Sequence, residues 1–374
     1  TVATTRKAES LKLADRAWNL LTEDPLRTRR NVELAETLAM EAIEADATDA
    51  DAFAAAAFAN FVMLDINYDS SSERRDKLRR FAETAELLAP DTLRSQIAMA
   101  VMLRKSGRRD EAIERLVKLS NQAPDNFLIQ SELLELWAWM DDETWIGATG
   151  IPTTPLNRLR GLSLRGQVEV DTLLAGQAWA KGEYPEADRL LDQVFATGSP
   201  NRTSYLIRLL VLTFGWGELD QAEAFAETIP EKLLLEDVVI NHVFTIHLWQ
   251  GDYDTAIAVL NRTQRDMLQE ALIQEPRDQL RGLALEARGS VESAKIAWES
   301  ALKVVDAQLA EAPQDLRARL NRARLLGYLG DVATARKEFE LLLDASPVNY
   351  QQFLTTFGAD LFLRWGDNEE AIKR

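Results

Sequence analysis

The chain has 374 residues, 46% of them hydrophobic, and its 43 Lys and Arg stand against 60 Asp and Glu, a formal charge of −17 with a pI near 4.8. That balance opposes two partner classes, the nucleic-acid backbone and anionic membranes, since both need clustered Lys and Arg. The absence of cysteine excludes disulfides, thiolate metal sites and thiol nucleophiles.

No stretch reads as a membrane span, because Ala52–Leu64 is too short and Arg208 interrupts Tyr205–Gly217. A soluble protein of the cytoplasm or the periplasm is expected. The chain opens at Thr1 with neither methionine nor signal peptide and stops at Arg374 inside a repeat, which reads as a part cut from something longer.

In chain order, Glu33–Glu44 and Arg79–Pro90 read as helices preceded by enlarged turns, Thr22–Asn31 and Asp65–Arg74. Leu93–Asp125 reads as a helix pair. Its first helix ends at Ser106-Gly107, its second carries the stripe Ala112, Ile113, Leu116, Val117 and Leu119, and Pro124 stops it. Asp141–Pro155 then breaks the pattern with Gly147, Gly150, Pro152, Pro155 and a threonine pair, a loop composition. The expected organisation is repeats over 1–141, an interrupting loop or hinge over 142–165, and repeats over 166–374 with the last one truncated.

A glycine followed five residues later by alanine recurs at Gly107, Gly182, Gly217, Gly251, Gly289, Gly330 and Gly366. The spacing is close to that of stacked helical repeats, each packed only on its neighbours. Alanine suits the place where two antiparallel helices approach most closely just past a short turn. Gly251 to Pro276 and Gly289 to Pro313 leave room for second helices longer by about two turns. Pro230 cuts another second helix short. No strand is expected, and helix should fill about four-fifths of the chain, against roughly a third in ordinary domains.

These residues resemble the tetratricopeptide repeat. Leu93–Asn126 matches its pattern with Ala100, Gly107, Ala112, Leu116 and Pro124, and Leu316–Asn349 matches with Ala323, Gly330, Ala335, Phe339 and Pro347. Tyr184 and Tyr253 fill the aromatic position of the turn. The resemblance implies an all-α fold, an α-α superhelix of about nine to ten antiparallel helix pairs. The small residue of the first helix is replaced by Leu210 and Phe244, so packing should open there.

Catalytic chemistry finds little footing. His242 and His247 stand five residues apart, off a common helix face, and are expected to be structural. The carboxylates lie mostly beside Lys and Arg at helical spacing, as on a solvated face. Gly215-Trp-Gly217 is a repeat turn without a phosphate-loop pattern, and Asn201-Arg-Thr and Asn261-Arg-Thr match only the short glycosylation pattern. No catalytic residue, metal site or cofactor is expected.

In the family, first helices line the concave face. Carried over, that lining includes Arg94, Ile97, Val101, Arg104 and Lys105, then Ser131, Glu132, Glu135 and Trp139, then Arg208 and Phe214, then Thr245 and Tyr328. The residues singled out as a peptide-binding groove are Arg208, Asn241, His242, Trp249, Arg317, Asn321 and Arg324. Asparagine can pair with the backbone of an extended peptide through donor and acceptor, and arginine can hold a carboxylate. The same arginines could instead pair with acidic residues of neighbouring repeats. The clamp that takes chaperone tails cannot be assembled. Trp137, Trp139 and Trp145, near the interrupting loop, are either core filling or a second anchor for a partner. The resulting expectation is a non-catalytic scaffold for a protein or extended peptide, similar to the repeat arrays of bacterial signalling proteins. An envelope assembly or co-chaperone factor is the alternative, and an enzyme built on helical repeats the remaining one.

Overall fold

The computed structural model describes residues 2–138, 154–270 and 273–346, together with Leu354, Leu361, Phe362, Arg364, Trp365 and Gly366. The chain forms two compact units, Thr1–Glu236 and Asp237–Arg374.

In the first unit, helices α1 (Val2–Thr22), α2 (Arg29–Ala45), α3 (Ala50–Asp65), α4 (Ser72–Leu88), α5 (Leu93–Lys105), α6 (Arg109–Gln122) and α7 (Phe127–Trp137) follow one another. After them come α8 (Pro155–Leu162), α9 (Leu164–Ala180), α10 (Tyr184–Ala196), α11 (Arg202–Leu210) and α12 (Leu219–Ala226). Some starts are capped by side chains: Ser71 accepts from the Arg74 N–H at 3.2 Å and Asn126 from that of Ile129 at 3.1 Å, satisfying donors that a helix leaves open. The faces of α1 to α7 share a core in which Trp18, Phe58 and Phe61 meet the alanine run Ala54–Ala57, and Ala175, Leu191 and Val211 belong to a separate cluster further along.

The two enlarged turns lie where the sequence puts them. They hold the chain's two left-handed non-glycine residues among those described, Arg27 at φ 40° and Asn67 at φ 63°. Of the interrupting segment, residues 139–153 lie outside the described residues, as do Trp139, Trp145 and the turn residues Gly147 to Pro152. Pro155–Leu162, assigned by sequence to that segment, is helix α8.

The second unit holds α13 (Asp237–Gln250), α14 (Tyr253–Leu260), strands β1 (Met267–Glu270) and β2 (Ile273–Pro276), α15 (Arg277–Ala287), α16 (Val291–Glu311), α17 (Leu316–Tyr328) and α18 (Val332–Ala345). All seven repeat glycines have positive φ, from 70° at Gly217 to 93° at Gly330, the conformation in which a Cβ is penalised. Ala112, Ala187, Ala222, Ala256, Ala294 and Ala335 are each 0% exposed, as close helix contact requires. The fold is thus the all-α repeat array of the tetratricopeptide type.

Two departures stand beside one expected feature. At Leu210 the helix widens into a π-helical turn, Val211–Trp216, where a β-carbon on Gly215 would lie 3.1 Å from the Tyr184 ring. The long second helix expected after Gly289 is present as α16, with 21 residues. The one expected after Gly251 is not: α14 stops at Leu260 and the chain forms an antiparallel hairpin, pairing Met267 with Pro276 and Glu270 with Ile273. The expectation of a chain without strands is corrected accordingly. A two-stranded hairpin is marginal alone, so its neighbours must hold it.

Candidate functional site

Three of the residues singled out from sequence as a peptide groove, Asn241, Asn321 and Arg324, are occupied by the chain's own hairpin. Asn321 sits mid-way along α17, 3% exposed, and its side-chain amide donates to the backbone carbonyl of Gln274 at 2.6 Å. One turn further on, the Arg324 guanidinium donates to the Glu275 carboxylate at 2.9 Å and, through Nε, to the Tyr328 hydroxyl at 3.3 Å. From α13, the Asn241 amide reaches the other oxygen of Glu275 at 3.4 Å. The side chain of Gln274 donates to Asp315, the residue that caps α17.

The other strand is fixed at the start of α13. The buried Glu270 carboxylate accepts the Val238 N–H at 3.1 Å, and Asp237 accepts the Gln269 N–H at 3.1 Å and the Arg265 guanidinium at 2.5 Å. A carboxylate at a helix N-terminus satisfies open donors and meets the positive end of the helix dipole. Side chains of α13 and α17 thus bind both strands through backbone and carboxylate, the chemistry a strand-shaped ligand offers.

The other predicted residues stand apart from this cluster. His242 is 8% exposed and donates from Nδ1 to the Val238 carbonyl at 2.7 Å, and burial pushes its basicity down, so it packs as a neutral ring. Arg317 lies in the first turn of α17, half-buried, its guanidinium without a hydrogen bond or ion pair to any described residue. Trp249 is 51% exposed near the end of α13. Arg208 belongs to the first unit, where Asp188 at 2.7 Å and Asp192 at 2.5 Å, both on α10, hold its guanidinium. That is the neighbouring-repeat pairing the sequence also allows.

The first unit carries a charged network of its own, built around residues expected from sequence on lining positions. Arg94 reaches Asp15 at 2.6 Å and Asp51 at 3.1 Å while lying over the Trp18 ring. Arg104 reaches Asp65 at 2.8 Å and Glu132 at 3.3 Å, and Lys105 reaches Asp65 at 2.6 Å. Desolvation works against the Asp65 charge, yet Arg104 and Lys105 outweigh it and hold the carboxyl below its usual range. Glu135 has no such escort: burial pushes its carboxyl up to about 7, with Asp65, Glu169 and Glu132 adding to the push and Arg104 opposing it. Beside this network a cavity of about 290 Å³ opens between Trp18, Arg94, Phe127 and Arg165.

The unit's early and late segments meet. The Tyr68 hydroxyl donates to the Glu236 carboxylate, Glu236 accepts the Arg29 N–H at 3.1 Å, and the Arg202 N–H donates to the Pro25 carbonyl at 3.2 Å. Nothing in the sequence signals this contact, since its partners lie up to 207 residues apart.

Among the described residues, no group of three or more His, Cys, Asp or Glu could hold a metal ion. No described helix is long and apolar enough to cross a membrane.

No family model and no curated protein matches the chain. Among solved structures, the human IFIT1 dimer with PPP-AAAA is 16% identical, covering 95% of this chain and 84% of that one at a TM-score of 0.48. The yeast Tom70 crystal structure is 12% identical, covering 97% and 96% of the two chains at 0.38. The structure of Naa15/Naa10 bound to HypK-THB is 13% identical, covering 97% and 62% at 0.22.

Proposed function

We propose that this chain is a non-catalytic scaffold that binds an extended, acidic segment of a partner protein against the first helices of its repeats. The observation that supports this most is the pairing of Asn321 with a strand carbonyl and Arg324 with the adjacent carboxylate. Main-chain bonds to a strand give affinity without sequence demand, and the arginine selects for acid. Each charge-assisted contact is worth roughly 1.5–3 kcal/mol before ordering losses. Arg317 and Trp249 flank the same helices, adding a cation and an exposed aromatic surface.

A panel of synthetic extended peptides, acidic members beside their amide counterparts, tests the reading on the intact chain. Acidic members should bind more tightly than their amides, at whatever concentration the intact chain requires. The triple change Arg317→Ala, Asn321→Ala and Arg324→Ala should abolish binding while circular dichroism stays unchanged. Equal binding of amides, or binding of the oligonucleotide PPP-AAAA in place of peptides, sinks the proposal.

A further inference from the structure

The hairpin occupies the side chains that a foreign strand would need. The Gln274 carbonyl takes the amide hydrogen of Asn321, and the Glu275 carboxylate takes Arg324 and Asn241. The strand runs directly into α15 at Arg277, so it cannot diffuse away. From these contacts we infer that β2 is a tethered stand-in for the partner segment, and that a partner binds only by displacing it. The inference rests on the proposed peptide-binding role and adds two things: the chemistry of the ligand and the device that restrains its binding.

The ligand chemistry follows from the register. Asn321 takes the carbonyl of one residue and Arg324 the carboxylate of the next, so the partner segment is an extended strand with an acidic side chain directly after the bonded carbonyl. The hairpin's own anchorage is divided. β1 is held at the start of α13 by Asp237 and Glu270, whereas β2 is held by side chains of α17 and by Asn241. Displacement therefore requires only the β2 contacts and the short ladder to β1 to open.

Tethering sets the strength of the restraint. A short connection gives an intramolecular segment an effective concentration on the order of millimolar. A free peptide of equal intrinsic affinity must exceed that concentration to compete. Its apparent affinity is lowered by the fraction of molecules in which the groove is open. Releasing the hairpin should then raise affinity by roughly tenfold or more.

The probe is a fluorescent peptide of residues 267–277 added in trans and followed by anisotropy. Two variants loosen the tethered copy. Glu275→Arg places a cation against Arg324, and a second chain carries glycine and serine in place of residues 267–275. The intact chain should show no saturation below about 1 mM. Both variants should bind the probe at least roughly tenfold more tightly, and adding Asn321→Ala with Arg324→Ala should remove that binding. Failure of the folded Glu275→Arg chain to gain affinity overturns the inference, as does equal binding by the intact chain. Should the glycine-serine chain fail to fold, Glu275→Arg alone decides. A variant that binds the probe but none of the foreign acidic peptides would keep the self-occupied groove and sink the scaffold role. Foreign peptides that bind the intact chain while the hairpin amides stay protected from hydrogen exchange would do the reverse.

Discussion

Gly282 and Trp298 share one space: a β-carbon on the glycine would lie 2.1 Å from Nε1 of the indole. Gly282 occupies the small position of a first helix, and Trp298 comes from the second helix of the same repeat. The indole is 2% exposed and donates to the Gln279 carbonyl at 3.3 Å, so it has little freedom to retreat. On an open helix Gly→Ala would gain about 1 kcal/mol of propensity. Here overpacking against a fixed ring should win, so Gly282→Ala should cost roughly 1–3 kcal/mol. The urea midpoint should fall, and adding Trp298→Leu should recover part of the loss. An unchanged midpoint would show that the ring yields.

Ala335 makes the same kind of contact at the turn between α17 and α18, where it is 0% exposed. Ala335→Leu should cost roughly 1–3 kcal/mol by forcing the pair apart. Thermal unfolding checks it, with Val332→Ala, outside this contact, as the control.

Glu135 ties the first unit to pH. Its ordinary value is 4.5 and burial raises it to about 7 in the folded chain. Between those values the native state holds more protons than the unfolded one, so stability falls as pH rises. The contribution is complete below about 4.5 and gone once pH passes 7. Its span is at most on the order of 3 kcal/mol, since water still reaches part of the side chain. Glu135→Gln should flatten this part of the profile and stabilise the chain at pH 8 more than at pH 5. Parallel profiles for the two proteins would refute it.

Tyr68 and Glu236 give a fourth expectation. Glu236 is 4% exposed and burial raises its carboxyl, while the tyrosine hydroxyl stabilises the charge. Tyr68→Phe leaves that carboxylate with the Arg29 N–H but without its strongest donor, at a cost of about 1–3 kcal/mol. A double-mutant cycle with Glu236→Gln should return a coupling of like size, measured by denaturation in urea.

The repeat register was legible because each turn demands a left-handed glycine and a closely packed alanine, and both leave a mark at fixed spacing. The length of α16 was legible from the absence of proline between Gly289 and Pro313. The hairpin was not. Met267-Leu-Gln-Glu and Ile273-Gln-Glu-Pro contain good helix formers and one β-branched residue, so local propensity favours helix. Buried contacts from Asp237, Glu270, Asn321 and Arg324 override it. The surplus of residues between Gly251 and Pro276 was the available signal, and it fitted a longer helix equally well. At the site, residue types were readable and partners were not. Asn321 and Arg324 were expected on lining positions, but periodicity cannot say that residues 274 and 275 of the same chain would pair with them. Arg104, Lys105, Glu132 and Glu135 fell on lining positions, yet the imbalance left on Glu135 depends on burial, which sequence spacing does not report.

The meeting of residues 25–29 and 68 with residues 202 and 236 changes how the first unit can come apart. A linear stack of repeats has two loose ends, and unfolding enters there one repeat at a time, because each terminal unit has a single neighbour. Joining the early segments to the late ones gives those end units a second neighbour, as in a ring. Fraying then loses its starting point, and the barrier to opening anywhere becomes the cost of breaking two interfaces at once. Amide hydrogen exchange across α1 to α12 should therefore be uniform in the intact chain. It should acquire a gradient from the ends inward once the Tyr68–Glu236 contact is cut.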